Sequence, residues 1–330
     1  MLKKIIKYSI LTLFTLLILA GLKIEFIGKK LEISSIESFI LKSENKNKIR
    51  LTFLGTSGFI INYNNKQIVC DPFFSNPNIY STIFSTAKLP KLNNFIADSL
   101  YNNVSMITIS HGHFDHCMDI QNFLQNENST IVSDRSNLLM LSSVIQKNQK
   151  VEIKHDIEID WIYDKDSTFR VLPIASVHAP HIANITFLDG IYENTLTEFP
   201  QKLWQWKMGK CNSFLVDVLQ KNSVVYRFAM LGGKMTEKSE ELLMKNCKER
   251  NCNMLAHIYW NKDRNFDDII RINQQLKPDV LLLHHWNSFF GNVNKPVQYF
   301  RTTNLPEELK NFKMNHVDAK IMMPFTTLVL

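Results

Sequence analysis

Three histidines and one aspartate fall within one hexapeptide, residues 111–116, which reads His-Gly-His-Phe-Asp-His. The apolar run Val104–Ser110 precedes it and is typical of a buried strand that ends in a tight turn. Because alternate residues of a strand point the same way, the first and third positions of the hexapeptide should converge on one point. The last two positions can reach a second point nearby. Imidazole and carboxylate ligands in this mixture suit Zn²⁺, Mn²⁺ or iron.

A polar loop with chance histidines is the alternative interpretation of this hexapeptide. The chain of 330 residues holds only 10 histidines, so three within six positions are hard to attribute to chance. The sequence therefore predicts a metal site, with His111 and His113 directed at one point and Asp115 and His116 at another.

The net charge of +7 is unevenly distributed along the chain. The first 30 residues hold six lysines and one glutamate and so carry +5 of this charge. A nucleic-acid surface would need a clustered basic patch on the folded domain, so we expect no nucleic-acid partner. Hydrophobic residues make up 45% of the chain, which is ordinary for a globular enzyme and sufficient for a core.

The N-terminus has the pattern of a targeting segment. Lys3, Lys4 and Lys7 precede the apolar run Tyr8–Leu22, which has the length of a signal-peptide core and is short for a full membrane span. A signal peptide and an uncleaved membrane anchor both fit, and a buried core helix is the remaining alternative. Lysines before the run favour a cytoplasmic N-terminus. We therefore predict a membrane-anchored or exported protein whose body lies outside the cytoplasm.

The order of predicted elements indicates one folded domain. Residues 1–30 form the predicted signal peptide or anchor, 31–49 a linker, and 50–330 the domain. Hairpins come first in the domain, and strands then alternate with helices, which favours two packed sheets with helices on the outer faces. The predicted helices span 117–126, 137–147, about 237–249 with Thr236 as N-cap, 267–276 and 306–315, and the last strand spans 321–330.

The chain resembles the metallo-β-lactamase superfamily, whose mark is a His-x-His-x-Asp-His loop after a strand. Phe53–Ile61 and Ile68–Pro72 are similar to its opening hairpins. Asp71 then matches an aspartate that supports a ligand histidine, although a turn-capping role is equally compatible. The branch of N-acylphosphatidylethanolamine phospholipase D and the ascorbate-6-phosphate lactonases is most similar in style. The resemblance extends from about Leu51 to the C-terminus and implies an α/β fold, a four-layer αββα sandwich.

The resemblance also implies the remaining ligands. Ser176–His181 is similar to the segment that carries the next ligand histidine, and His178 is the better match within it. For His181, a substrate contact and a surface position both remain open. The segment Leu281–Phe290 is similar to the late strand end whose histidine completes the second site, and His285, directly before the tryptophan, fits best there. His284 should face the opposite side of that strand. The implied ligand sets are His111, His113 and His178 for the first metal ion, and Asp115, His116 and His285 for the second.

One position departs from the family pattern. Relatives usually carry Gly-Asp after the strand over Val224–Leu231, and that aspartate bridges two metal ions. This chain has Gly233 there, followed by Lys234, whose ammonium group has no lone pair to offer. Loss of a bridging carboxylate should weaken the binuclear state. We therefore expect one firmly bound Zn²⁺ and a weaker second ion, with Mn²⁺ or iron as alternatives.

Two functions remain open from the sequence. The first is a metal-dependent hydrolase that cleaves an ester, lactone or phosphodiester bond through a metal-bound hydroxide, which the catalytic residue Asp115 positions or deprotonates. Membrane tethering and the aromatic-rich segment 184–209 favour a lipid-like substrate among small molecules, although an ordinary packed loop explains this segment slightly better. The second is a membrane-anchored, non-catalytic binding protein on a degenerate metallohydrolase fold, which Gly233 keeps open.

Overall fold

The structure is a computed structural model, and it describes residues 4, 7–13, 15–16, 28–43, 48–78, 82, 103–155, 160–180, 186–260, 262–290, 296–300 and 303–330. Its strands are β1 (Gly28–Lys30), β2 (Arg50–Gly55), β3 (Gly58–Tyr63), β4 (Lys66–Cys70), β5 (Val104–Thr108), β6 (Thr130–Ser133), β7 (Gln149–Glu152), β8 (Ile162–Tyr163), β9 (Phe169–Val177), β10 (Cys211–Gln220), β11 (Ser223–Leu231), β12 (Lys234–Met235), β13 (Met254–Ile258), β14 (Val280–His284), β15 (Gln298–Phe300), β16 (Ala319–Ile321) and β17 (Thr326–Val329). Its α-helices are α1 (Phe114–Cys117), α2 (Arg135–Met140), α3 (Glu237–Glu249), α4 (Lys262–Leu276) and α5 (Leu305–Met314).

Two mixed sheets form the frame of the domain. The first has the order β17-β2-β3-β4-β5-β6-β7, in which hairpins lead into the parallel strands β4 to β7. The second has the order β12-β9-β10-β11-β13-β14-β16, with β8 paired to β9. This architecture is the predicted α/β sandwich, with two sheets in the middle.

Alternation along the first sheet explains the layers. Phe59 and Ile61 of β3 join the core that also holds Val171 and Ile174 of the second sheet. Ile60, between them in sequence, faces the other way and packs in the cluster that contains Phe114 of α1. Successive side chains of a strand point to opposite faces, so this sheet is apolar on both sides and lies between the second sheet and a helical layer.

Two predicted helices are shorter than the sequence suggested. The helix expected over 117–126 is divided into α1 and a 3₁₀ turn at Ile120–Phe123. Between them Asp119 accepts hydrogen bonds from the amides of Phe74 and Ser75, which holds the chain against a neighbouring loop. The helix expected over 137–147 begins earlier, because Asp134 caps it, and ends at Met140.

The remaining predicted helices are confirmed with small shifts of their ends. Helix α3 spans the predicted residues, and Thr236 accepts a hydrogen bond from the amide of Ser239 as its N-cap. Helix α4 begins earlier than predicted, at Lys262, and α5 begins at Leu305.

The last predicted strand is wrong, because the chain changes sheets within it. Strand β16 pairs with β14 in the second sheet, and β17 pairs with β2 in the first. Pro324 between them has no amide hydrogen for a ladder, and Phe325 adopts a left-handed backbone with φ +62°. These two residues turn the chain from one sheet to the other.

The segment favoured as a linker, 31–49, packs on the domain where the structure describes it. Ile36 and Phe39 are buried, and the amide of Leu41 donates to the carbonyl of Ile321 over 2.9 Å. Just before this segment, β1 pairs with β15. Two short 3₁₀ turns, at Ile33–Ser35 and Glu37–Phe39, lie between β1 and the next described strand.

Much of the predicted N-terminal anchor, Tyr8–Leu22, lies outside the described residues. Where residues are described, none of the helices has both the length and the apolar character needed to cross a bilayer.

Candidate metal centre

The first cluster consists of His111, His113 and His178. Strand β5 ends at Thr108, and the chain continues from the sheet edge so that His111 and His113 lie side by side. Strand β9 supplies His178 directly after its last residue, Val177. Nε2 of His111 lies 3.1 Å from Nδ1 of His113, and one ligand atom from each histidine lies within 4.8 Å of the others. Two nitrogens that share a tetrahedral zinc ion lie about 3.3 Å apart, so this spacing fits a metal site.

The second cluster consists of Asp115, His116 and His285. Asp115 and His116 belong to the single turn of α1, whereas His285 follows the end of β14. Oδ2 of Asp115 lies 3.2 Å from Nε2 of His285 and 3.7 Å from Nε2 of His116. All three side chains are buried. Elements of both sheets therefore supply this cluster.

The two clusters adjoin each other. The ring centroids of His111 and His116 are 3.9 Å apart, and the rings of His116 and His285 stack at 5.5 Å. The structure thus brings together all six residues that the sequence proposed as ligands, in the two predicted sets of three. Two buried clusters of this composition suggest a binuclear metal site, and their donors alone do not fix the identity of the metal.

The protonation preferences of His111 and Asp115 favour cation binding, whereas that of His116 favours a proton. Burial, assisted by repulsion from the neighbouring histidines, holds the pKa of His111 well below its ordinary value, so its ring is neutral and can offer a lone pair. Burial opposes ionisation of Asp115, but the attraction of His116 and a hydrogen bond with His285 prevail and lower its pKa. Burial opposes protonation of His116, but Asp71 and Asp115 prevail and raise its pKa. A metal ion at His116 therefore displaces a proton.

Asp71 contacts His116 of the second cluster and is not itself a member of either cluster. Oδ2 of Asp71 lies 2.8 Å from Nδ1 of His116, and the carboxylate also accepts hydrogen bonds from the amide and the hydroxyl of Ser110, both at 2.7 Å. This contact decides between the two roles that the sequence left open. By holding Nδ1 of His116, Asp71 leaves Nε2 facing Asp115, which is the arrangement a ligand histidine requires.

Sequence reasoning missed Ser110. Its hydroxyl lies 3.2 Å from Nδ1 of His111 and 3.1 Å from Nδ1 of His116, so it contacts one histidine of each cluster. Its place directly before the hexapeptide was the available signal, because the last residue before such a turn lies beneath the ligands.

Gly112 allows another segment to pack onto the histidine loop. A Cβ atom at this position would lie 2.2 Å from the carbonyl oxygen of Lys207 and 2.4 Å from Oδ1 of Asn137. The amide of Gly112 donates to the carbonyl of Met208 over 2.7 Å. In the described part of the aromatic segment, 186–209, Trp206 is buried. This packing agrees with the ordinary packed loop that the sequence favoured.

The structure shows what surrounds Gly233. A Cβ atom there would lie 2.7 Å from the carbonyl oxygen of Val177, because β12 pairs with the end of β9 at this point. An aspartate therefore needs a backbone displacement to fit at residue 233. Lys234 is exposed and lies outside both clusters. Asp115 is the one carboxylate that the described residues contribute to the two clusters.

The other histidines have different surroundings. His284 is turned away from the centre as predicted: Nε2 lies 3.2 Å from the carbonyl oxygen of Leu231, and Nδ1 lies 3.2 Å from the hydroxyl of Ser57. His257 is buried, with Nδ1 at 2.8 Å from the carbonyl oxygen of Ile258. His181 lies outside the described residues.

Comparison with known proteins places this site within a known fold. Residues 50–189 match the sequence model of the beta-lactamase superfamily domain. Among solved structures, Igni18, a metallo hydrolase from Ignicoccus hospitalis, is similar at a TM-score of 0.54 and 14% identity, over 85% of this chain and 97% of that chain. An isothiocyanate hydrolase from Delia radicum gut bacteria gives a TM-score of 0.52 and 12% identity, over 85% and 98% of the two chains. CmlA, a diiron β-hydroxylase from Streptomyces venezuelae, gives 0.53 and 12%, over 86% and 54%.

No protein of curated function matches the chain significantly in sequence. The similar structures share the αββα metallo-β-lactamase sandwich, and at these identities they establish the fold. CmlA is a hydroxylase, so the fold alone does not select one reaction. The chemistry of this chain is therefore set by its two clusters and not by the fold alone.

Proposed function

We propose that the protein is a metal-dependent hydrolase that cleaves an ester, lactone or phosphodiester bond. The observation that carries this proposal is the adjacency of two buried clusters, His111, His113, His178 and Asp115, His116, His285. Each cluster brings one ligand atom from each of three side chains within 4.8 Å of the others, which is the convergence of donors that a metal ion requires.

In this proposal the six side chains hold the two ions, and Asp71 orients the ring of His116. A bound ion of this class lowers the pKa of a coordinated water molecule and polarises a carbonyl or phosphoryl oxygen. Asp115 is the one carboxylate among the six, so it is the group able to orient the attacking water or to take its proton.

The donor set supports Zn²⁺, with Mn²⁺ or iron as alternatives, because it combines imidazole nitrogens with one carboxylate and no thiolate. We propose that the all-histidine cluster binds its ion firmly and that the second ion is weaker. The second ion is weaker in this proposal because residue 233 is a glycine and Asp115 is the one carboxylate that the described residues contribute to the two clusters.

We further propose a lipid-like or envelope-derived substrate and a membrane-anchored or exported protein. In the described part of the N-terminal segment, Tyr8, Ile10 and Leu13 are 64%, 63% and 59% exposed, and an apolar helix in this state needs a cover such as a lipid bilayer. Aromatic rings also adjoin the second cluster, since Trp260 and Phe289 lie 5.3 and 5.7 Å from the ring of His285. Both rings are buried, so the surroundings of His285 are apolar, which is compatible with a lipid-like substrate.

Metal analysis combined with a substrate screen tests this function. The purified chain is analysed for zinc, manganese and iron, then stripped with a chelator and assayed with generic esters, lactones and bis-aryl phosphodiesters, with and without added metal. The proposal predicts hydrolysis of at least one class that disappears on stripping and returns with metal. A folded chain that binds metal but hydrolyses none of these classes would favour the non-catalytic binding protein instead.

A further inference from the structure

His285 occupies an unusual backbone position for a ligand. Its φ is +62°, a left-handed conformation that non-glycine residues adopt only when their surroundings hold them there. His285 is also the one member of the second cluster that comes from the second sheet, whereas Asp115 and His116 come from α1. The geometry of this cluster therefore depends on what fixes the backbone of His285.

Two hydrogen bonds in series fix it. The amide of His285 donates to the carbonyl oxygen of Thr56 over 2.5 Å, and the amide of Thr56 donates to Oδ1 of Asn287 over 2.8 Å. Thr56 lies in the tight turn between β2 and β3 and is itself left-handed, with φ +52°. The turn of the first sheet is thus held between two residues of the loop that follows β14.

Asn287 and Thr56 are buried in a site where Gly55 leaves room for the amide group of Asn287. Asn287 is 2% exposed, Thr56 is fully buried, and Asn287 forms a β-bridge with Tyr299 of β15. Gly55 has φ +107°, and a Cβ atom there would lie 3.3 Å from Nδ2 of Asn287. The glycine therefore provides both the backbone conformation and the space that let the amide group reach the turn.

We infer that Asn287 is a positioning residue for the second metal ion: through Thr56 it holds the backbone of His285, so that Nε2 faces Asp115. This inference rests on the proposed metal function. The role of Asn287 is confined to the second cluster. The described contacts of His111, in the first cluster, are with Ser110, His113 and neighbouring rings and do not include Asn287. Loss of the Asn287 side chain should therefore affect one ion and spare the other.

Zinc titration of the full chain tests this inference. The chain is stripped of metal and titrated with Zn²⁺ in competition with a chromophoric chelator, as wild type, Asn287→Ala and Asn287→Asp. We expect Asn287→Ala to lower the affinity for the second zinc ion about 10- to 100-fold, as is typical when a residue that orients a ligand is removed. The affinity for the first zinc ion should not change. Asn287→Asp keeps the acceptor oxygen and should retain both ions.

A control variant excludes a general loss of structure. Asn148→Ala removes a buried asparagine that bonds to Asn126 and Ser129, away from both clusters, and should retain both ions. If Asn287→Ala does not fold by circular dichroism, Asn287→Ser replaces it, since its shorter side chain cannot span the same distance.

The outcomes separate this inference from the proposed function. If Asn287→Ala lowers the affinity for both zinc ions equally, or for neither, the positioning role is overturned. The proposed metal centre is not affected by that result. Loss of the second ion in Asn148→Ala would also overturn the positioning role. A wild-type chain that binds no zinc would overturn the proposed function itself, and this inference with it.

Discussion

Nδ1 of His116 lies 2.8 Å from Oδ2 of Asp71, a residue 45 positions earlier in the chain. Asp71 follows β4 and adopts a left-handed backbone with φ +47°, so the turn directs its carboxylate beneath the histidine loop. This contact connects two neighbouring strand ends of the first sheet and determines which nitrogen of His116 can bind a metal ion.

The first prediction concerns this contact. In Asp71→Asn the new amide group would donate to Nδ1 of His116, which places the ring proton on Nε2 and removes the lone pair that a metal needs. We expect metal affinity at the second cluster to fall about 10- to 100-fold, measured by zinc titration of the stripped chain. The exposed Asp160→Asn, which has the same chemical change, should behave as wild type. If Asp71→Asn binds zinc as tightly as the wild type, Asp71 does not orient His116 for metal binding.

The second prediction compares neighbouring histidines. His111→Ala and His113→Ala each remove one of three nitrogens and should abolish tight binding of the first ion and reduce hydrolysis by about 100-fold or more. His284→Ala removes a buried ring that contacts Leu231 and Ser57, so it should lower the free energy of unfolding but keep the metal. Elemental analysis and urea unfolding of the three variants separate these effects. A loss of metal in His284→Ala equal to that in His111→Ala would contradict the assignment.

The third prediction concerns Gly233. The sequence pattern alone suggests that Gly233→Asp would add a ligand and raise occupancy of the second site. The carbonyl oxygen of Val177 is too close for this, and we expect Gly233→Asp to lower the free energy of unfolding by about 1–3 kcal/mol without a gain of metal. Gly233→Ala should shift stability in the same direction, and the exposed Lys234→Asp should be nearly neutral. Tighter binding of a second ion by Gly233→Asp, measured by dialysis and elemental analysis, would show that the backbone adapts.

The fourth prediction is a pH dependence from Asp119. Burial raises its pKa from 3.8 to about 6, although Phe74 and Ser75 donate hydrogen bonds to it. The folded state therefore holds this proton more tightly than the unfolded state. The resulting stabilisation is complete below pH 3.8 and is lost as the pH rises through 6, a change of about 3 kcal/mol.

Asp119→Asn tests this dependence. Its side-chain oxygen can accept the two backbone hydrogen bonds, and its NH₂ group can donate to the hydroxyl of Ser75. Urea unfolding at pH 4.5 and 7.5 should show that the variant gains stability relative to wild type at the higher pH. A difference between the two proteins that does not change with pH would contradict the raised pKa.

The residues of the two clusters could be predicted from a local motif and a family resemblance. The hexapeptide follows an apolar strand, whereas His178 and His285 came from segments that resemble the family, and strand alternation placed His284 on the other side. The sheet change at Pro324 and Phe325 could not be predicted, because an apolar run indicates a strand but not the strand with which it pairs. The roles of Ser110, Thr56 and Asn287 depend on contacts between elements distant in sequence, which periodicity does not reveal.

The central claim is that two metal ions occupy the two clusters. Anomalous scattering at the zinc edge, from crystals of the chain grown with Zn²⁺, tests it most directly. We expect two peaks, one among His111, His113 and His178 and a second, of lower occupancy, among Asp115, His116 and His285. Zinc bound elsewhere on the chain, with no peak at either cluster, would contradict it.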